Sequence, residues 1–88
     1  MHTVTYTREA TKALLKIEAG QALKIRDKIN AYAADPASMA NNVKKLKGSK
    51  ALRLRVDDYR VIFTVTFTSG DNGEMIVLKI GHRREVYD

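Results

Sequence analysis

The residues of this chain best suited to chemistry are four arginines, Arg53, Arg55, Arg60 and Arg83, and what they suit is the holding of an anion. A guanidinium is planar, permanently charged and donates N–H groups in pairs, which matches phosphate oxygens better than an ammonium does. Tyr87 stands close behind Arg83 in sequence and reads either as a C-terminal anchor or as a chemical group. A lysine run, Lys44, Lys45 and Lys47, and the single Lys79 could extend a track for a nucleic-acid backbone, or simply be solvated.

Other chemistries find little support. Cysteine is absent, which removes disulfides, thiolate metal sites and a cysteine nucleophile together. His2 and His82 are far apart and lack a carboxylate cluster, so no metal centre is expected and no cofactor is implied. There is no GxGxxG, no GxxxxGK[ST] and no GxSxG. Asp57 and Asp58 read as turn residues rather than as a paired acid and base.

The elements that must position these arginines follow from periodicity. His2–Thr7 alternates, with Val4 and Tyr6 on one side, and reads as a strand. From Arg8 to Ala19 the residues Ala10, Ala13, Leu14 and Ile17 make one helical stripe, with Thr7 as N-cap and Gly20 as the stop. A second stripe, Ala22, Ile25, Ile29, Tyr32 and Ala33, runs until Asp35-Pro36 ends it, because proline disfavours helix in the residue before it. Residues 35–50 read as a basic connecting loop with a short helical turn, anchored by Met39, Val43 and Leu46. Three runs rich in β-branched and aromatic residues follow, Ala51–Val56, Tyr59–Thr68 and Glu74–Gly81, and an antiparallel meander joins them most simply. The class is α+β: an N-terminal strand, a helical hairpin and a three-stranded meander in one sheet, with both helices on one face, as a single domain spanning 1–88.

Turn arithmetic assigns the faces. A two-residue loop at Asp57-Asp58 sets Val56 against Tyr59, Arg55 against Arg60 and Leu54 against Val61. For the second hairpin a slip of one residue would send one set of apolar side chains to the wrong face. Burial therefore selects Phe67 with Ile76, Val65 with Leu78 and Phe63 with Ile80. The other face then carries Arg53, Arg55, Arg60, Ile62, Thr64 and Lys79. If the last strand runs on, Arg83 lies opposite Arg60, completing a row of three arginines about 5 Å apart per step. His82 points away from them. One arginine on an open sheet face is ordinary, but three in a row repel one another and are relieved by an anion.

The whole-chain charge agrees with this picture. Of 88 residues, 16 are Lys or Arg and 10 Asp or Glu, for a formal charge of +6, and the second half holds most of the basic residues. That balance favours polyanionic partners and also serves solubility. No apolar run approaches membrane-spanning length and no signal-peptide pattern opens the chain, so a cytoplasmic protein is expected.

In the order of its elements, and in the segments LRLRVDDYRVIFTV and VLKIGHRREVYD, the sequence resembles the RelE/ParE toxin superfamily, and within it the RelE branch. The resemblance spans essentially the whole chain, and its specific parts are DYRVIF and GHRREVY. It implies a RelE-like fold and a type II toxin that cleaves messenger RNA in the ribosomal A site, inhibits translation and is neutralised by a cognate antitoxin in a hetero-oligomer. Residue by residue it places Arg60, Arg83 and Tyr87 in the catalytic set with Arg55. It places Arg53 with the basic residues that contact RNA. Where the best-known pattern has two lysines this chain has Arg53 and Arg55, which stabilise charge well and surrender protons poorly. The ParE branch, which inhibits DNA gyrase without nuclease chemistry, and an inactive antitoxin-binding domain are the alternatives on the same fold.

Overall fold

A computed structural model describes residues 2–70 and 72–86. The chain opens with strand β1, His2–Tyr6, and Thr7 caps helix α1, Arg8–Lys16, by accepting a hydrogen bond from the amide of Ala10 at 3.2 Å. Helix α2 spans Ala19–Ala34. A 3-10 segment, Pro36–Asn42, leads to strand β2, Val43–Lys45, and the sheet is completed by β3, Leu52–Val56, β4, Tyr59–Ser69, and β5, Asn72–His82.

The break between the helices falls at Ile17 and Glu18, not at Gly20. The Glu18 carboxylate accepts from the amides of Gly20 at 3.0 Å and Gln21 at 2.9 Å, so it caps α2 and draws Gly20 into the first turn. A carboxylate at this position satisfies orphan N–H groups and opposes the positive end of the helix dipole. Both apolar stripes face the sheet: Ala10 is buried on α1, and Ile25, Ile29, Tyr32 and Ala33 on α2.

The five strands lie in the order β1-β5-β4-β3-β2, with β1 parallel to β5 and every other pair antiparallel. The expected meander is its centre. β2 is an addition on the edge, invisible in the sequence because two of its three residues are lysines; charge on an edge strand also discourages pairing with other chains.

The β3–β4 register is as the Asp57-Asp58 turn dictates, with Arg55 opposite Arg60. The β4–β5 register is not. Val61 faces Ile80 and Ile62 faces Lys79, but the next residue, Phe63, faces Val77, so Leu78 is an extra residue that shifts the ladder. A bulge of this kind bends the strand and exchanges its faces. Beyond it Val77 and Met75, rather than Leu78 and Ile76, point into the core and are fully buried. Phe67 faces Gly73 instead of Ile76, at the end of the sheet beyond the helices, and stays 68% exposed.

The main core lies between helices and sheet, with Phe63, Ile25, Ile29, Leu54, Met75, Val61 and Val77 at its centre. Each such side chain contributes about 1.5–3 kcal/mol on burial. A second, smaller cluster sits on the opposite face of the sheet: Ala51, Ile62 and Val86, with Leu46 and Leu78 against them. It folds the segment after β2 and the C-terminal turn onto the face that carries the arginines. Among the described residues no helix is long and apolar enough to cross a membrane.

Candidate nucleic-acid interface

Residues directly opposite one another in a sheet share a face, so the pairings build the basic surface strand by strand. One row is Arg55 on β3 and Arg60 on β4, with Gly81 on β5 beyond them. The next is Lys44 on β2, Arg53 on β3, Ile62 on β4 and Lys79 on β5. Lys45 pairs with Leu52, which packs against the main core, and therefore belongs to the opposite face. Lys47 lies exposed in the turn that follows β2.

Arg83 does not stand opposite Arg60. That place belongs to Gly81, and β5 ends at His82. Arg83 instead begins a turn closed by hydrogen bonds from the amides of Glu85 and Val86 to the carbonyl of His82, at 2.7 and 3.1 Å. Its own amide donates to the carbonyl of Asp58 at 2.7 Å, which holds the turn against the β3–β4 loop. Gly81 lets this happen: a Cβ there would lie 2.5 Å from Cγ2 of Val86, which folds back over it. Arg83 thus joins the cluster from a turn rather than from the strand. Tyr87 lies outside the described residues.

Arg60 is held in place by the turn. Its Nη1 donates to the carbonyl oxygens of Asp57 at 3.1 Å and Tyr59 at 3.0 Å, which pins the guanidinium by one corner. The donors on Nε and Nη2 complete the fork. Partial burial, and then the positive charges of Arg53, Arg55 and Arg83, pull Arg60 below the ordinary arginine value, while Asp58 opposes them. The side chain remains a cation at neutral pH, since arginine is not deprotonated in proteins. Arg55 and Arg83 are exposed and Arg53 and Arg60 part-buried, so like charges gather on a surface open to solvent, an arrangement that favours the approach of an anion.

The two aspartates of the turn are sorted by direction. Asp57, in the left-handed region at φ 53°, sends its carboxylate to the helices, where Oδ2 meets Nζ of Lys24 at 2.8 Å and accepts from Nε2 of Gln21 at 3.3 Å. These contacts, Lys24 first, hold its carboxyl below the usual range. Asp58 turns the other way, with Oδ1 3.8 Å from Nε of Arg83 and both side chains exposed. Sequence reasoning gave both residues the same role, because spacing alone carries no sign of which way each side chain points.

His82 faces away from the arginines, as its parity implies. Its ring packs edge-on against Tyr59 at 5.6 Å, and its Nδ1 accepts from the amide of Arg84 at 3.2 Å. Beside it a groove of about 500 Å³ opens between α1 and the C-terminal turn, with Lys12, Lys16 and Lys79 on its rim and Tyr59, Ile80 and Val86 in its wall. The α1 lysines escaped the sequence reading because a helical charge stripe is usually no more than a solvated face.

The family model described as ParE toxin of type II toxin-antitoxin system, parDE, matches residues 4–87. No curated protein matches the chain. Among solved structures, a chain of the archaeal RelE-RelB complex from Pyrococcus horikoshii OT3 superposes with a TM-score of 0.74 at 22% identity, covering 97% of this chain and 98% of that one. A chain of the toxin-antitoxin complex RelBE2 from Mycobacterium tuberculosis gives 0.73 at 18% identity, over 92% and 96%. A chain of the intact RelBE toxin-antitoxin complex of E. coli gives 0.72 at 16%, over 93% and 96%. At these identities the likeness is one of fold.

Proposed function

The chain belongs to the ParE toxin family of type II toxin-antitoxin systems, and from that premise we propose that it is a ribosome-dependent endoribonuclease that cuts messenger RNA and so inhibits translation. The observation that carries this reading is the pinned guanidinium of Arg60 amid Arg53, Arg55 and Arg83. Arg55, Arg60 and Arg83 grip the scissile phosphate and stabilise the charge of the phosphorane. Lys44, Arg53 and Lys79 follow the backbone to either side, with Lys47 as an outlying contact, whereas Lys45 lies on the helix-bearing face and takes no part. Tyr87 stacks on a base or exchanges a proton. The ribosome aligns the RNA for in-line attack, so free RNA is a poor substrate.

Residues 1–88 act as one toxin domain in the cytoplasm, with no cofactor. The structural neighbours come from complexes of RelE with RelB, and on that ground a cognate antitoxin is the protein partner, in a hetero-oligomer.

Replacing Arg60 or Arg83 by Ala abolishes translation-dependent cleavage on this reading, and unchanged cleavage in both variants refutes it. A second reading has its own support, since the matching family model is that of ParE: inhibition of DNA gyrase without nuclease chemistry. Mapping new mRNA 5′ ends and plasmid supercoiling in the same expressing cells separates the two. Cuts within translated codons support the first, and gyrase-type DNA damage the second.

A further inference from the structure

We propose that Asp58 is the general base of the cleavage, taking the proton from the ribose 2′-hydroxyl beside the phosphate held by Arg60 and Arg83. The inference rests on the RNA-cleaving reading and supplies the group that reading lacks. Attack by a 2′-oxygen needs a proton acceptor within hydrogen-bond reach, and arginine does not serve as one.

Among the described residues three carboxylates lie near the cluster, and the structure distinguishes them. Asp57 is committed to Lys24 and Gln21 on the helical side. Glu85 accepts from the amide of His82 at 3.3 Å and belongs to its own turn. Asp58 alone of the three is directed at the arginines, through Oδ1 at 3.8 Å from Nε of Arg83. Its backbone is fixed there by the hydrogen bond from the Arg83 amide, and its neighbours Asp57 and Tyr59 supply the carbonyls that pin Arg60. The loop that positions the phosphate-binding arginines is thus the loop that carries the carboxylate.

The 3.8 Å separation is that of a loose, exposed ion pair. A phosphate accepting paired N–H groups displaces the carboxylate from Arg83, and the backbone bond from the Arg83 amide to the Asp58 carbonyl keeps the freed side chain beside that arginine. In the step itself Asp58 takes the 2′ proton as the 2′-oxygen forms its bond to phosphorus. The bond from phosphorus to the 5′-oxygen breaks, that oxygen takes a proton from water, and a 2′,3′-cyclic phosphate and a 5′-hydroxyl result. Asp58 returns its proton to solvent, so no oxidant, reductant or metal is consumed.

The test compares wild type, Asp58→Asn and Asp58→Glu as full-length proteins on translating ribosomes, with affinity for a single-stranded RNA oligonucleotide measured in parallel. Asp58→Asn is expected to cleave about 10²- to 10⁴-fold more slowly while binding the oligonucleotide as well as wild type or better, because a negative charge has left the cluster. Asp58→Glu keeps the acceptor and recovers part of the rate. An Asp58→Asn protein that cleaves as fast as wild type or faster identifies Asp58 as a mere counter-ion and overturns the assignment, as does a loss of affinity that accounts for the loss of rate. If wild-type protein leaves the mRNA intact, the proposed function itself fails and the assignment with it.

Discussion

Arg60 combines two demands that only its side chain meets together. One nitrogen donates to two carbonyls of the β3–β4 turn, and the remaining fork must still present paired donors to a phosphate. Lysine keeps the charge but is a compact point donor without the fork. Arg60→Lys is therefore expected to fall with Arg60→Ala in a translation-dependent cleavage assay, and substantial rescue by lysine would show that charge alone suffices. Gly81 works by omission. Adding a methyl group there drives into Val86, which lies over it and joins the C-terminal turn to Ile62 and Ala51. Gly81→Ala is expected to cost about 1–3 kcal/mol, the usual range for overpacking. Because the clash is with a single methyl of Val86, the double variant Gly81→Ala, Val86→Ala should unfold at a temperature much nearer to Val86→Ala alone than additivity predicts.

At the scale of elements, the bulge in β5 decides what is core. Met75→Ala removes a fully buried side chain and is expected to destabilise by about 2–5 kcal/mol in denaturant unfolding. Ile76→Ala and Leu78→Ala, at half-buried positions, should cost markedly less, and the reverse order would mean an unbulged ladder. Sequence could not have placed this bulge, since Met75–Leu78 is four apolar residues in succession and alternation has nothing to count. Where polar and apolar residues do alternate around a defined turn, as in Leu54-Arg55-Val56 and Tyr59-Arg60-Val61, the register came out right, and with it the pairing of Arg55 and Arg60. Arg83 stands off the expected row because β4 and β5 close with Ser69 opposite Asn72, two residues short of the expected register, which puts Gly81 opposite Arg60, and because β5 stops at His82. The helix break was misread for a related reason: glycine is a visible stop signal, whereas a glutamate cap is recognised only once its carboxylate is seen on two amides. Two acids of this region also tie α2 down. Glu18, through the amides of Gln21 and Gly20, and Asp57, through Lys24 and Gln21, both titrate below their ordinary values of 4.5 and 3.8. A depressed carboxyl stabilises the fold above its unfolded value and loses that contribution as pH falls through the folded one. Thermal stability should therefore drop on the acid side of about pH 4.5. In Glu18→Gln and Asp57→Asn that acid limb should be shallower, and an unchanged limb in both would rule out these contacts as its source.

For the molecule as a whole, the sheet separates two tasks. One face is covered by α1 and α2 and contains nearly all of the main core; the other presents the arginines around a small apolar cluster that anchors the C-terminal turn. Such a division puts the destabilising concentration of positive charge where the fold does not depend on it, and where a polyanion can reach it. Nucleic-acid binding to a surface of this kind is driven largely by counterion release, with a slope of about −0.7 in log affinity against log salt for each phosphate neutralised on a single strand. One scissile phosphate held by Arg55, Arg60 and Arg83, and one flanking phosphate for each of Lys44, Arg53 and Lys79, together predict a slope of about −3 for a single-stranded RNA oligonucleotide. Removing a flanking contact, as in Lys79→Ala, should lower its magnitude by about 0.7. Lys45→Ala should leave the slope unchanged, because that side chain belongs to the helix-bearing face of the sheet. If Lys45→Ala flattens the salt dependence as much as Lys79→Ala does, the RNA is held by the overall charge of the protein, and the arginine face is not where it binds.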